Sequence, residues 1–309
     1  MTATIAAETR SRIGRVGFGL MAPVAPADEW REAARRIDRA GYGTIWINEG
    51  IGGRDVFAQL GVLLAATDRI AVGSSVANLW ARHPGAMQGG AAVLADAYPG
   101  RFLLGIGVSG PQYVEASGQT WTRPLERTRT YLEQMAASAD WAPRPSVPFP
   151  RVVAALGPKM TELARDHSDG AFPAAMPVEH TRRTRELLGP DPLLITILLA
   201  VDDPDLAKAR AAVRGTGMLD DAQSGYAKAL RGLGYTDADL ADRNSDALID
   251  ARFALGTPET IAARVQDHLD AGADQVVITA VPSATLTQSA DLADRLAPAL
   301  SGHLQLPVG

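Results

Sequence analysis

The chain has 309 residues and a hydrophobic content of 46%, enough for one large α/β domain or two ordinary ones. Its net charge of −5 argues against a surface for nucleic acid or anionic membranes, and the lack of cysteine excludes disulfides, thiolate catalysis and cysteine-bound metals. No two histidines have the i, i+4 spacing of a helical zinc site, and neither a signal-peptide core nor a membrane-spanning run is found. We therefore predict a cytoplasmic protein without a metal centre.

Short apolar runs alternate with helical patterns along nearly the whole chain. The segment after the first run has apolar residues at helical spacing, acidic residues at its start and arginines toward its end, as a helix dipole favours. The predicted strands cover residues 15–21, 44–49, 70–78, 102–108, 151–156, 170–175, 193–201 and 275–281. The predicted helices cover residues 28–41, 158–168, 177–188, 203–213, 257–272 and 286–299, and further helices begin near Asp55 and after His83.

Eight strands that each precede a helix are typical of an α/β chain that forms a (β/α)8 TIM barrel rather than a doubly wound sheet. The longest gap between predicted strands contains a stretch rich in glycine and aspartate. We interpret residues 214–257 as a partly helical insertion at the C-terminal mouth of the barrel. Residues 1–309 are accordingly predicted to form a single domain.

The fourth predicted strand contains GIGVSG at residues 105–110, which has the G-x-G-x-x-G spacing of a dinucleotide-binding loop. That loop belongs to a first βαβ unit and opens a helix, whereas this motif lies in the fourth strand and precedes a segment, 111–124, that we predict to be a loop. Two other interpretations stay open. The glycines make room for bulky neighbours, or they let a flat ring lie against the strand end.

Three other strand ends carry polar or glycine-rich segments. Glu49 ends the second predicted strand, where it is either a ligand contact or a solvated loop acid. Serines and an asparagine at residues 74–78 are either a ligand surface or an internally satisfied polar layer. Gly157 and Pro158 open a helix with free backbone N–H groups beside Lys159, a candidate anion site unless that lysine is merely solvated.

These stretches together resemble the bacterial luciferase-like superfamily, and within it the branch that uses the deazaflavin coenzyme F420. The resemblance rests on residues 41–50, 70–109, 151–172 and 257–278, and the second of these is the most specific. It implies a TIM barrel whose fourth strand passes near the ring of a flavin-like cofactor.

The resemblance also implies roles for particular residues. In the family, a non-prolyl cis peptide at the end of the third strand presses on the middle of the cofactor ring, and that peptide falls here on Ser75–Val76. The turn after the fifth strand cradles the ribityl-phosphate tail, and the end of the second strand places Glu49 near the polar edge of the ring. The implied cofactor-binding residues are Glu49, Ser75, Val76, Ala77, Gly107, Val108, Ser109, Ala155, Leu156, Gly157, Pro158, Lys159 and Met160.

The chain departs from the sugar-phosphate dehydrogenases of the superfamily. Those enzymes have an Asp-His pair after the second strand and a glutamate after the fourth-strand glycines, where this chain has Glu49–Gly50 and Gly110. Their acid–base groups are therefore missing, and their substrate is not assumed. Glu49 is the best candidate left for handling a proton.

We expect an F420-dependent oxidoreductase that transfers a hydride between C5 of the deazaflavin and a small organic substrate. The first alternative is an FMN-dependent monooxygenase or reductase on the same barrel. The second is an F420- or flavin-binding protein without turnover. A homodimer is expected from the resemblance alone, and substrate specificity is expected to reside in the loops at 109–124 and 214–257.

Overall fold

Parallel strands close into a barrel whose wall follows the apolar runs of the sequence. The computed structural model describes residues 2–22, 24–216, 219, 224–282 and 285–305. The strands in this part of the chain are β1 (Val16–Leu20), β2 (Thr44–Ile47), β3 (Ala71–Ser74), β4 (Ala77–Asn78), β5 (Phe102–Gly107), β6 (Arg151–Val153), β7 (Gly170–Ala171), β8 (Leu193–Asp202), β9 (Phe253–Gly256) and β10 (Gln275–Ala280).

The ring closes because β10 pairs with both β1 and β8. β3 and β4 occupy one position in the wall, since both pair with β5. The eight positions of the ring coincide with the eight predicted strands, which confirms the TIM barrel. β9 lies outside the ring and pairs with the last residues of β8.

Helices surround the barrel and bury its outer face. In the described residues they are α1 (Thr2–Arg12), α2 (Ala27–Arg39), α3 (Val56–Ala66), α4 (Pro84–Ala97), α5 (Pro111–Ala116), α6 (Pro124–Ala137), α7 (Pro158–His167), α8 (Val178–Leu188), α9 (Leu206–Arg214), α10 (Gly225–Gly232), α11 (Asp237–Leu240), α12 (Asp246–Arg252), α13 (Pro258–Asp270) and α14 (Leu286–Leu296). Asp55 and His83 cap α3 and α4 through their side chains, at the two helix starts predicted from the sequence. None of the helices described is long and apolar enough to cross a membrane.

The barrel interior is filled by side chains from alternate positions of the strands. Trp46 packs on Phe172, with ring centroids 4.6 Å apart, and its indole N–H donates to Thr44 Oγ1. Ile13, which follows α1, joins the same interior cluster, so the N-terminal segment covers this end of the barrel. The opposite end, where the strands have their C-terminal residues, is the mouth of the barrel.

Three local predictions were wrong or incomplete. Residues 111–116, predicted as a loop, form the short helix α5, and Pro111 is compatible with its first position because the missing N–H costs nothing there. The helix α1 and the strand β9 were not predicted. The strand predicted over 151–156 ends at Val153, and the one predicted over 170–175 ends at Ala171.

Among the described residues, the segment 214–257 that the sequence predicts to be an insertion contains α10, α11 and α12. Its apolar side chains pack on Met176, which follows β7, and on Leu156, which follows β6. Arg252 fastens it to the barrel, because its buried guanidinium donates to the carbonyl of Ala175 and to Asn244 Oδ1. The insertion therefore rests on the mouth side of the fifth and sixth wall positions.

Candidate active site at the mouth of the barrel

The third position of the barrel wall is interrupted at Ser75 and Val76, and the peptide bond between them is cis, as predicted. The chain around this interruption keeps its hydrogen bonds through other partners. Ser74 Oγ donates to the carbonyl of Gly105 (2.8 Å) and accepts from the N–H of the same residue (3.0 Å). Ser75 N–H donates to Ile47 O, and Asn78 Oδ1 accepts from Trp80 N–H. The segment 75–76 is thus a half-buried bulge at the mouth, held by hydrogen bonds of Ser75 and of the residues beside it.

This bulge explains two of the three glycines of GIGVSG, Gly105 and Gly107. A Cβ on Gly105 would lie 2.1 Å from the carbonyl oxygen of Ser74, and one on Gly107 would lie 2.2 Å from Cγ2 of Val76. Both positions therefore exclude a side chain, because the neighbouring bulge occupies the space. The interpretation that these glycines make room for bulky neighbours is confirmed, and contact with a cofactor ring stays a prediction.

Glu49 lies behind the bulge rather than in open solvent, with a side chain only 3% exposed. Its Oε2 accepts from the backbone N–H of Asn78 (2.8 Å) and from Arg82 Nη1 (2.8 Å). Its Oε1 accepts from Arg82 Nη2 and from the N–H of Val56. The carboxylate therefore links the start of α3, the loop after β4 and the bulge.

Arg82 is the residue at this site that the sequence analysis missed. Burial alone would lower the pKa of its guanidinium, but hydrogen bonds and charge from Glu49 and Asp55 outweigh burial and raise it. Arg82 Nη2 also bonds Asp55 Oδ2 at 3.0 Å, and the guanidinium lies over the ring of Phe57. The cation is thus fixed on three sides.

Strand alternation assigns different directions to Asn48 and Glu49. Ile45 and Ile47 lie in the core between the barrel and the helices, whereas Thr44 and Trp46 point into the barrel. Glu49 continues the outward set and Asn48 the inward set. If the alternation continues past Ile47, the exposed Asn48 is the side chain of this strand end that we expect over the barrel opening.

The turn after β6 has free backbone donors. Gly157 is the residue before the first turn of α7, and Pro158 and Lys159 begin the helix. Among the described residues, the N–H groups of Gly157 and Lys159 have no hydrogen-bond partner, and the Lys159 ammonium has no ion pair. A Cβ on Gly157 would meet nothing within 4 Å, so the protein leaves open space at this point. Free N–H groups and a cation at a helix start are the elements of an anion site.

Other predicted site residues contribute in different ways. The carbonyl of Val108 accepts from the indole N–H of Trp80 at 2.7 Å, and Ser109 is exposed with a φ of 65°. Ala77 and Ala155 have buried side chains in the outer core, so a ligand could meet only their backbones. Met160 packs partly on that core, and the carbonyl of Leu156 is bonded from behind by His180.

The charges around the mouth do not form a metal site. In the described part of the chain, no group of three or more histidine, aspartate or glutamate side chains is placed to hold a metal ion. A cavity of 620 Å³ lies beside the mouth between the loop after β4 and α6, where Arg127 stacks on Trp80. None of the predicted cofactor-binding residues lines this cavity, so the predicted site is the mouth itself.

Comparisons with known proteins identify the family and its relatives. A family model described as luciferase-like monooxygenase matches residues 13–275. A 5,10-methylenetetrahydromethanopterin reductase of Methanolobus tindarius is 26% identical over 84% of this chain and 93% of its own length. An F420-dependent glucose-6-phosphate dehydrogenase of Beutenbergia cavernae is 30% identical over 59% of this chain and 66% of its own length.

The solved structures include an F420-dependent secondary alcohol dehydrogenase in complex with an F420-acetone adduct. It superimposes with a TM-score of 0.75 and covers 93% of this chain and 99% of its own. With 16% sequence identity, this likeness concerns the fold.

Proposed function

The chain belongs to the bacterial luciferase-like family and is an enzyme of that family, and from this premise we propose that it is an F420-dependent oxidoreductase acting on a small organic substrate. The observation that carries the proposal is the pairing of a bulge at the third wall position with an open, donor-rich turn at the fifth. Two of the similar proteins are F420-dependent enzymes, which supports the choice of cofactor.

The residues at the mouth fit a deazaflavin with a phosphate-bearing tail. Ser75 and Val76 provide a half-buried surface for one face of a flat ring, and Gly107 leaves that surface uncovered. The turn at Gly157 and Lys159 offers two backbone donors and an ammonium to a phosphate. When bound, the deazaflavin supplies hydride chemistry at C5.

In this proposal Glu49 and Arg82 hold the bulge in place. Glu49 fixes the N–H of Asn78, just after the bulge, and Arg82 fixes Glu49. Because four donors already occupy the carboxylate oxygens, proton transfer by Glu49 would require Arg82 to move. Positioning is therefore the role that the contacts favour, and proton transfer is the hypothesis that a pH profile decides.

The substrate would enter from the side of the mouth bounded by α5 and the insertion. Asn48 would lie over the barrel opening and supply an amide donor and acceptor. The single domain, residues 1–309, would place all of these elements around one opening. Substrate class is decided by these loops rather than by the wall.

A homodimer would bury the outer face of α3 and α4. α3 has no charged residue and α4 has one, Asp96, although both helices lie on the surface of the barrel. Val93 of α4 is 54% exposed. By contrast, the neighbouring helix α2 carries acidic and basic residues along its exposed face. A second copy of the chain is the partner we propose for this uncharged face.

The alternative is an FMN-dependent monooxygenase, which the description of the matched family model favours. The test is to load the protein with F420, reduced or oxidised, and to follow its absorbance with a panel of secondary alcohols, aldehydes and unsaturated ketones. Substrate-dependent bleaching or recovery without oxygen consumption supports the proposal. Oxygen consumption with FMN and no change with F420 overturns it.

A further inference from the structure

His180 lies directly behind the turn that begins α7. It belongs to the first turn of α8 and is 5% exposed. Its Nε2 is 2.8 Å from the carbonyl oxygen of Leu156, and its Nδ1 is 3.2 Å from Oγ1 of Thr184. A carbonyl oxygen only accepts, so Nε2 carries the proton, and Nδ1 accepts from the threonine hydroxyl. The ring is thus held in one tautomer by two partners.

The carbonyl that His180 holds belongs to the same peptide group as the N–H of Gly157. In a planar trans peptide these two groups point in opposite directions. A donor that draws the carbonyl of Leu156 toward α8 therefore turns the N–H of Gly157 away from α8. That N–H has no partner among the described residues, and the space beside Gly157 is open.

The surroundings of His180 favour the neutral ring that its two hydrogen bonds require. Burial lowers the pKa of His180, the hydrogen bond to Leu156 raises it, and the nearby Arg183 lowers it further, with a net lowering. A neutral ring donates from Nε2 and accepts at Nδ1 at the same time, as the two contacts require. A second buried histidine, His268, bonds Thr181 Oγ1 at 2.8 Å, and among the described residues no hydrogen bond joins it to the turn.

We infer that His180 is a positioning residue that orients the Gly157 N–H toward the phosphate of the cofactor. The inference rests on the proposed F420 function and deepens it, because it assigns the geometry of the phosphate turn to a residue remote from the ligand. Because His180 acts only through the peptide between Leu156 and Gly157, its loss should weaken the binding of ligands that carry a phosphate and leave the binding of ligands without one unchanged.

The test compares the affinities of F420 and of its phosphate-free deazaflavin precursor, measured by fluorescence. His180→Leu is expected to raise the Kd of F420 about tenfold, in keeping with the loss of one charge-assisted hydrogen bond, and to leave the Kd of the precursor unchanged. His180→Gln, whose amide can donate to Leu156, is expected to restore most of the F420 affinity. His268→Leu is the matched buried control and is expected to bind both ligands as the wild type does.

Equal F420 affinity in His180→Leu and wild type would overturn the inference, as would an equal loss for both ligands, which would indicate general damage to the mouth. A second readout does not depend on F420. In wild-type protein, inorganic phosphate is expected to shift the amide resonance of Gly157, and in His180→Leu this shift is lost. If the wild type does not bind F420, the proposed function fails, while the Gly157 resonance still decides the inference.

Discussion

At the scale of single residues, the mouth is organised by contacts between groups that are far apart in the sequence. Glu49, Arg82 and Asp55 form a chain of charge-assisted hydrogen bonds from the bulge to the start of α3. Both ends of this hydrogen-bond network are backbone groups, because Glu49 accepts from Asn78 N–H and Asp55 caps α3. We therefore propose that this network holds the bulge in position.

Replacing Glu49 by glutamine tests this role. The amide turns one acceptor into a donor that faces Arg82 or a backbone N–H, so the bulge loses a fixed contact worth about 1.5–3 kcal/mol. We expect turnover to fall about tenfold or more while the protein stays folded. The pH profile of kcat should keep its shape if Glu49 is a positioning residue and lose one limb if it transfers a proton. Full activity of Glu49→Gln would remove Glu49 from the mechanism.

Gly105 is expected to be intolerant of a methyl group for purely steric reasons. In Gly105→Ala the new Cβ would lie 2.1 Å from a backbone oxygen, so the bulge or the strand must shift. We predict a loss of about 1–3 kcal/mol in the free energy of unfolding, measured by urea denaturation. Gly50→Ala is the matched control, since nothing lies within 4 Å of its Cβ position and its φ is unstrained. Equal stability of the two variants would contradict the steric account.

The cis peptide and the outward direction of Glu49 could be predicted from the sequence, whereas the role of Arg82 could not. The family resemblance predicted the cis peptide at Ser75–Val76, and the small residues around it allowed the bulge. Strand alternation alone could have assigned Glu49 outward, because Ile45 and Ile47 mark that face. Arg82, by contrast, is 33 residues away along the chain, and nothing local identifies it as the partner of Glu49.

At the scale of elements, α3 and α4 differ from the other outer helices in charge. They lie side by side on the barrel, and Val93 is among the most exposed apolar side chains described. A surface helix without charges is stable in water mainly when a partner covers it. The proposed dimer accounts for this composition.

Val93→Arg is expected to weaken that dimer. A charge buried in an apolar interface without a counterion is costly, so the variant should be monomeric at concentrations where the wild type is dimeric. Sedimentation equilibrium or light scattering measures the difference. Leu206→Arg, at an exposed apolar position of α9, is the control and should leave the mass unchanged. A monomeric wild type would refute the proposed interface.

The histidine pair between α8 and α13 predicts how stability depends on pH. Burial lowers the pKa of His268 to about 4, below the value of about 6.5 in an unfolded chain. As the pH falls from 6.5 toward 4, the unfolded state takes up a proton that the folded state refuses, so stability is lost in that window. Between pH 7 and pH 5 the wild type should lose about 2 kcal/mol more than His268→Leu in urea denaturation. Equal losses would show that His268 is not the cause.

Element boundaries were less predictable than the elements themselves. β9 is only four residues long and lies outside the ring, so it lacks the long apolar run that revealed the barrel strands. Pro111, Gly118 and Pro124 suggested a loop, yet Pro111 is compatible with the first position of α5. Both β9 and α5 depend on tertiary packing, about which the local sequence pattern carries no information.

At the scale of the whole molecule, the barrel brings the ends of its eight wall positions together around one opening. The bulge at the third wall position and the donor-rich turn at the fifth lie on either side of β5, whose glycines let the bulge pack closely against this strand. This arrangement suits a ligand with a flat ring at one end and a phosphate at the other. Deazaflavin and flavin cofactors both have that form, so the barrel alone does not choose between them.

The choice of cofactor is therefore the measurement that tests the account most directly. Apo-protein is titrated with F420 and, separately, with FMN, and binding is followed by the fluorescence of each cofactor. We predict that F420 binds more tightly than FMN. Micromolar affinity for FMN together with no detectable binding of F420 would contradict the central claim.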